Sequence, residues 1–196
     1  MTASGDSTPQ SGTRARTRLA ILDAAVAVLA RDQTAPLADI ADAAGVSRTT
    51  LHRHFADRAE LLTAAVTDSN QAIARAVLIA DPASGEPIEA LRRLVAALVE
   101  VADRILFLFH SYADDTSDDE PDGGNATEGD EAIIDLIRRG QERDQFTTDL
   151  DPNWIESTLW SLVFAGCQEV ASGTTPRTTI ASNIMRTIEG GISVQN

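Results

Sequence analysis

Lysine is absent from this 196-residue chain, and all 16 basic residues are arginine. That is a composition expected from a GC-rich genome rather than a mechanism. Cysteine occurs once, at Cys167, so no internal disulfide can form. The apolar surroundings of that residue predict a buried structural thiol rather than a redox or metal site. Aromatic residues make up only 4% of the chain and histidine appears three times, which leaves little material for a hydrolytic or metal centre. No His-Glu-x-x-His, paired cysteine, phosphate loop or Gly-x-Ser-x-Gly occurs, so the chain reads as a non-enzyme without a cofactor or catalytic residue. No apolar run approaches the roughly 18 residues of a membrane span, since Val95 to Tyr112 is broken by Glu100, Asp103 and Arg104. The first residues lack a charged-then-apolar leader, so a cytoplasmic protein without a membrane partner is expected.

What is present is helical. With 43% hydrophobic residues the chain can bury a sizeable core, and its apolar positions recur at three and four with no sustained alternation. The reading is all-α. Residues 1–13 are rich in Ser, Thr, Gly and Pro and read as a disordered arm. A helix is predicted over Leu19–Ala30, preceded by Arg14, Arg16 and Arg18, which are either an arm reaching for phosphates or a solvated helix start.

Residues 37–62 are the most informative. Ile40, Ala41 and Ala44 form an apolar stripe, Gly45 supplies a tight corner, and Val46 and Leu51 continue the buried set. Ala41 and Ala44 are small enough for two steeply crossed helices to approach closely. Ser47 caps a second short helix whose outer side carries Arg48, Thr49, Thr50, His52 and Arg53. Guanidinium and hydroxyl donors there suit the major groove of DNA. Asp57 and Glu60 then form a capping-box-like start for a long helix running to Ile79.

The run Ala44-Gly-Val-Ser-Arg-Thr-Thr-Leu-His-Arg-His-Phe-Ala-Asp-Arg-Ala-Glu-Leu-Leu closely resembles the signature of TetR-family transcriptional regulators. The resemblance implies base or near-base contacts for Arg48, Thr49, Thr50 and Arg53, and phosphate contacts for His52 and Arg58, with His54 in the same surface. His52 stands where the family most often has Tyr, and Arg58 where it most often has Lys. Both keep a donor, and the imidazole contact strengthens on protonation. The connection from Arg31 to Leu37 is shorter than usual and lacks the family's common glycine and threonine.

A net charge of −14 conflicts with DNA binding until its distribution is examined. Through residue 62 there are seven arginines and seven acids, whereas the remainder holds nine arginines and 23 acids, nine of them between Asp114 and Glu131. This implies a neutral-to-basic head over residues 14–60 and an acidic body over 61–196, with 113–127 a mobile acidic loop and the body held beyond a screening length of about 8–10 Å from the duplex. Asp118, Glu120, Asp122 and Gly123 only superficially resemble a calcium loop, because Gly129 stands where a bidentate Glu is required; no metal site is expected.

In the body, the stripe Ile88, Leu91, Leu94, Val95, Leu98, Val101 and Ala102 merges into Ile105–Tyr112. Further helices are predicted over 132–143, after Asp151-Pro152 and after Thr175-Pro176. The family resemblance implies a ligand-binding and dimerisation body with a cavity for a small effector. Phe107, His110, Tyr112, Trp160, Phe164 and Gln168 are the candidate lining, with ordinary core packing as the alternative for each aromatic. It also implies a homodimer through the last two helices, spacing the recognition helices about 34–36 Å apart on a palindromic operator. Repression relieved by an unidentified effector follows as the expected function. The alternative is a helical protein-interaction module whose head does not bind DNA.

Overall fold

The computed structural model describes residues 9–113 and 128–192, whose regular elements are α-helices joined by short connections, with no strand among the described residues. The helices are α1 (Pro9–Leu29), α2 (Leu37–Ala43), α3 (Arg48–His54), α4 (Arg58–Ala80), α5 (Pro87–Glu100), α6 (Ala102–Ala113), α7 (Glu128–Glu142), α8 (Pro152–Ser172) and α9 (Arg177–Ile192). Nearly all of the expected acidic loop, residues 114–127, lies outside the described residues. The chain forms two compact units that divide between Asp68 and Ser69. The division expected at residue 60 therefore moves into α4, because Leu61 and Ala65 are completely buried and the first turns of that helix belong to the head.

In the head, Ile21, Leu22, Ala25, Val26 and Leu29 of α1 are buried and pack with α2. The helix begins about ten residues before its first apolar position, so residues 9–13 are not the disordered arm the composition suggested; residues 1–8 lie outside the described residues. This solvated start needs no apolar stripe. Thr17, for example, satisfies its hydroxyl on the Thr13 carbonyl at 3.0 Å.

The corner between α2 and α3 closes with two hydrogen bonds, Gly45 N–H to Asp42 O at 3.1 Å and Val46 N–H to Ala41 O at 3.0 Å. This is the Schellman pattern, with Gly45 in the left-handed region at φ +66°. Ile40 and Ala41 are fully buried, but Ala44 is only half-buried, so the close approach rests on Ala41 and not on the expected pair. The start of α4 is capped from both sides: Glu60 N–H donates to Asp57 Oδ1 at 2.8 Å, and Glu60 Oε2 accepts from the N–H of Ala56, one residue before the cap, at 2.7 Å.

In the body, α5 packs against α6, α7, α8 and α9. Leu91, Leu94, Val95, Leu98 and Val99 of α5 form the centre of its core, joined by Leu106, Phe107, Leu159, Val163 and Ile188 from its neighbours. The stripe expected to run unbroken from 88 to 112 is two helices, because Val101 leaves the helical region at φ −101° and ψ 26°. The apolar phase carries across the bend, which is why it was invisible in the pattern. Gly166 marks a close helix contact: a methyl group there would lie 2.7 Å from side-chain carbons of both Ile180 and Ile184, so α8 and α9 meet at van der Waals distance.

Candidate nucleic-acid interface and body cleft

Helix α3 is held from below and from its start. Leu51 and the following Phe55 are buried, while Ser47 accepts the Thr50 N–H at 3.1 Å as the N-cap. The face left outward carries Arg48, Thr49, His52 and Arg53, all exposed. Thr50 is half-buried, and its hydroxyl is bonded to that of Ser47 at 2.9 Å, so it belongs to the cap as much as to the outer face. His52 Nδ1 lies 3.4 Å from the Ala56 carbonyl.

Arg58 turns away from α3. Its Nη1 donates to the Ala35 carbonyl at 2.6 Å and its Nη2 to the carbonyl of Gln33, which pins the connection between α1 and α2. In the same connection Asp32 accepts from Thr34 Oγ1 at 2.7 Å and Thr34 N–H at 2.9 Å, and these two bonds hold its carboxyl below the ordinary carboxylate range. In this structure the Arg58 guanidinium thus clamps the segment leading into α2.

His54 ends α3, half-buried. Burial first, then the charges of Arg14, Arg53 and Arg18, lower its pKa from the usual 6.5. The N-terminal arginines of α1 thus gather beside the end of α3, and the Arg18 guanidinium lies 4.6 Å from the Phe55 ring centroid. Arg14 and Arg16 are exposed, with Arg16 Nη2 donating to Thr13 Oγ1 at 3.3 Å. The composition could not have shown this grouping, because α1 and α3 are some thirty residues apart in the chain.

The body contains a cleft of about 980 Å³, within the range of small-molecule sites. Its walls are Asn70, Ile73, Ala74 and Val77 from α4; Ile105, Leu108, Phe109 and Tyr112 from α6; and Trp160 from α8, with Gln71, Gly129 and Asp130 completing it. Of the six residues expected to line it, only Tyr112 and Trp160 do. Phe107 is buried in the core, His110 and Phe164 lie off the wall, and Gln168 is exposed. Phe164 stacks behind Phe109 with centroids 4.1 Å apart, and His110 meets its edge at 6.4 Å. The missed signal was positional. Residues 70, 73, 74, 77 and 105, 108, 109, 112 each follow the i, i+3, i+4, i+7 spacing of one helical face.

Cys167 is fully buried, and its thiol is pushed up to about 12, chiefly by that burial and secondarily by Asp103. Among the described residues no three His, Cys, Asp or Glu side chains gather as metal ligands would, and no helix is long and apolar enough to cross a membrane.

The sequence profile of the bacterial regulatory proteins of the tetR family matches residues 21–65, from the middle of α1 through the start of α4. Over 184 residues the chain is 39% identical to the HTH-type transcriptional repressor LfrR of Mycolicibacterium smegmatis, spanning 93% of this chain and 94% of that protein. It is 31% identical over 140 residues to the HTH-type transcriptional regulator NfxB of Pseudomonas aeruginosa, across 71% of this chain and 74% of that one. The fold superposes on the crystal structure of the TetR-like regulator LfrR from Mycobacterium smegmatis in complex with proflavine with a TM-score of 0.70 at 35% identity, covering 93% of this chain and 99% of that one. The outward donors of α3 thus sit in a helix-turn-helix of established kind, and the chain belongs to the TetR family of DNA-binding transcriptional regulators.

Proposed function

We propose that this regulator is a repressor that grips a palindromic operator as a homodimer and lets go when a small-molecule effector enters the body cleft. One observation carries the reading: Arg48, Thr49, His52 and Arg53 face solvent on a helix anchored by Leu51, Phe55 and Ser47. Donors on an immobilised cylinder meet base edges without the cost of ordering the backbone that carries them. Arg48, Thr49 and Arg53 read bases. His52, His54 and the α1 arginines meet phosphates, and Arg58 acts indirectly by fixing the approach to α2. Two relatives named as a repressor and a regulator support this reading, and the repressor's complex with proflavine supports a small-molecule effector in the body.

Helix α4 supplies the coupling, because its residues before Ser69 belong to the head and Asn70, Ile73, Ala74 and Val77 form a wall of the cleft. An effector that prefers one setting of α4 biases operator affinity, and about 1–3 kcal/mol of coupling gives roughly 5–150-fold control. Dimerisation through α8 and α9 is favoured by small residues left outward there, Ala165 and Gly190. The test is fluorescence anisotropy on DNA from upstream of the gene and its neighbours, with and without proflavine, alongside light scattering for mass. Arg48→Ala and Arg53→Ala should each weaken specific binding at least roughly tenfold, the worth of one bidentate base contact. Unchanged affinity and sequence preference in both variants would remove α3 from the interface.

A further inference from the structure

The end of α4 is held by two guanidinium groups that do not line the cleft. Residues 80–84 finish that helix and begin the connection to α5, and every carbonyl in this stretch accepts from Arg93 or Arg139. Arg93, on α5, donates from Nε to Ala80 O at 2.9 Å, and from Nη2 to Asp81 O at 2.9 Å and Ser84 O at 2.8 Å. Arg139, on α7, donates from Nη2 to Pro82 O at 2.6 Å and from Nη1 to Ala83 O. The backbone bends to present these oxygens, with Asp81 at φ +47° and Gly85 at φ +79°. Both donors stand on firmly packed supports. Leu91, Leu94 and Val95 seat α5 in the core, and Gly140, next to Arg139, lies so close to Phe146 that a methyl group there would overlap its ring. Among the described residues the buried Arg139 Nε finds no acceptor, so this side chain keeps its two carbonyls while a third donor goes unmet.

We infer that Arg93 and Arg139 are positioning residues for the regulatory response: they fix the end of α4 beside the cleft, so that displacement of the cleft wall passes toward the start of the helix. The inference rests on the proposal that this cleft takes the effector, and it adds the residues that make occupancy count. Val77, the last α4 residue of the wall, lies one turn before the clamped stretch. The last carbonyls of a helix have no partner within it, and an end without tertiary support frays. A wall beside a frayed end would yield locally to a ligand, and nothing would reach the rest of α4. With residues 80–84 held, the wall can move only by tilting about that end. At a rise of about 1.5 Å per residue, Val77 stands about 4.5 Å and Asn70 about 15 Å along the axis from Ala80. The displacement therefore grows toward Asn70, in the direction of residues 58–68, which belong to the head.

The experiment measures the operator affinity of the full chain by anisotropy with and without saturating proflavine, and the ratio of the two affinities is the response. From a wild-type ratio of about 5–150, Arg93→Ala and Arg139→Ala should each lower it roughly threefold or more, and the double variant should bring it within about twofold of one. Operator affinity without proflavine, and the affinity of the free chain for proflavine, should stay within about threefold, because neither arginine belongs to α3 or lines the cleft. Arg93→Lys and Arg139→Lys are the milder pair. They keep the charge but not the fork, and each should lose only part of the response. Amide hydrogen exchange over residues 77–86 checks the cause and should quicken in every variant that loses response. An undiminished ratio in the variants, whatever their exchange or stability, would show a clamp that only stabilises; it would overturn the inference and leave the effector cleft standing. A wild-type chain whose operator affinity ignores proflavine would sink the effector proposal and this inference with it.

Discussion

Arg58 Nη1 donates to the carbonyl of Ala35 at 2.6 Å, joining the first residue of α4 to the segment that enters α2. With Nη2 on the Gln33 carbonyl, the planar fork fixes two backbone groups at once. The guanidinium thereby ties two segments of the head together. Arg58→Ala should destabilise the protein by about 1–3 kcal/mol, because it leaves part-buried carbonyls without their charged donor. Arg58→Lys should recover only part of that, since an ammonium lacks the fork. Anisotropy across a salt series separates the roles. A clamp lowers operator affinity without changing the salt slope, whereas loss of a phosphate contact reduces the slope by about one.

Gly45 is held at φ +66°, yet a Cβ placed on it would meet nothing within 4 Å. Its requirement is conformational and not steric. Gly45→Ala should cost about 1–2 kcal/mol from the left-handed backbone alone, and Gly45→Asn should recover part of it because Asn tolerates that region. Urea denaturation of the three proteins measures the order Gly, Asn, Ala; equal stability of Asn and Ala variants would contradict it.

The head should lose stability in mild acid through His54. Burial and the charges of Arg14, Arg53 and Arg18 depress its folded pKa, so the unfolded chain binds the proton more readily. That contribution is complete well above the usual histidine value of about 6.5 and is lost as pH falls below it. Glu156 has the opposite sign: its raised pKa means the folded state holds the proton more tightly, so its effect on stability grows less favourable as pH rises from the carboxylate range through its folded value. Denaturation midpoints of wild type and His54→Gln, followed downward from neutral pH, should converge. Parallel curves would show that His54 titrates as it does in the unfolded chain.

Cys167 should resist thiol reagents while the chain is folded, because it is fully buried and its thiol is pushed up to about 12, which leaves almost no thiolate near neutrality. Labelling with an aromatic disulfide should proceed only on addition of denaturant, and its rate should follow unfolding. Fast labelling of the native protein would show that α8 opens locally.

The features that could be read directly from residue order are those made within four or five residues. The Ser47 cap, the Gly45 corner, the Asp57–Glu60 box and the Asp151-Pro152 start of α8 all close through hydrogen bonds over that distance. The outward face of α3 was legible for the same reason: once α3 is set, Leu51 must turn inward and Arg48, Thr49, His52 and Arg53 must turn out. The cleft was legible only in part. Clustering aromatics by proximity in the chain selected Phe107 and Phe164, whereas packing buried Phe107 in the core and set Phe164 behind Phe109.

Helical class, family membership and the outward donors of α3 were determined by sequence alone, because periodicity and capping are local and the motif's side chains are fixed by one short helix. Tertiary packing decided that Arg58 reaches back 23 residues to Ala35, that α4 divides at Asp68 between two units, and that Asn70, Asp130 and Trp160 share one cleft. Those outcomes depend on which faces of distant helices meet. A helix encodes its own apolar stripe, but the neighbour that covers the stripe, or leaves it open as a cavity wall, is chosen only when the remaining helices pack.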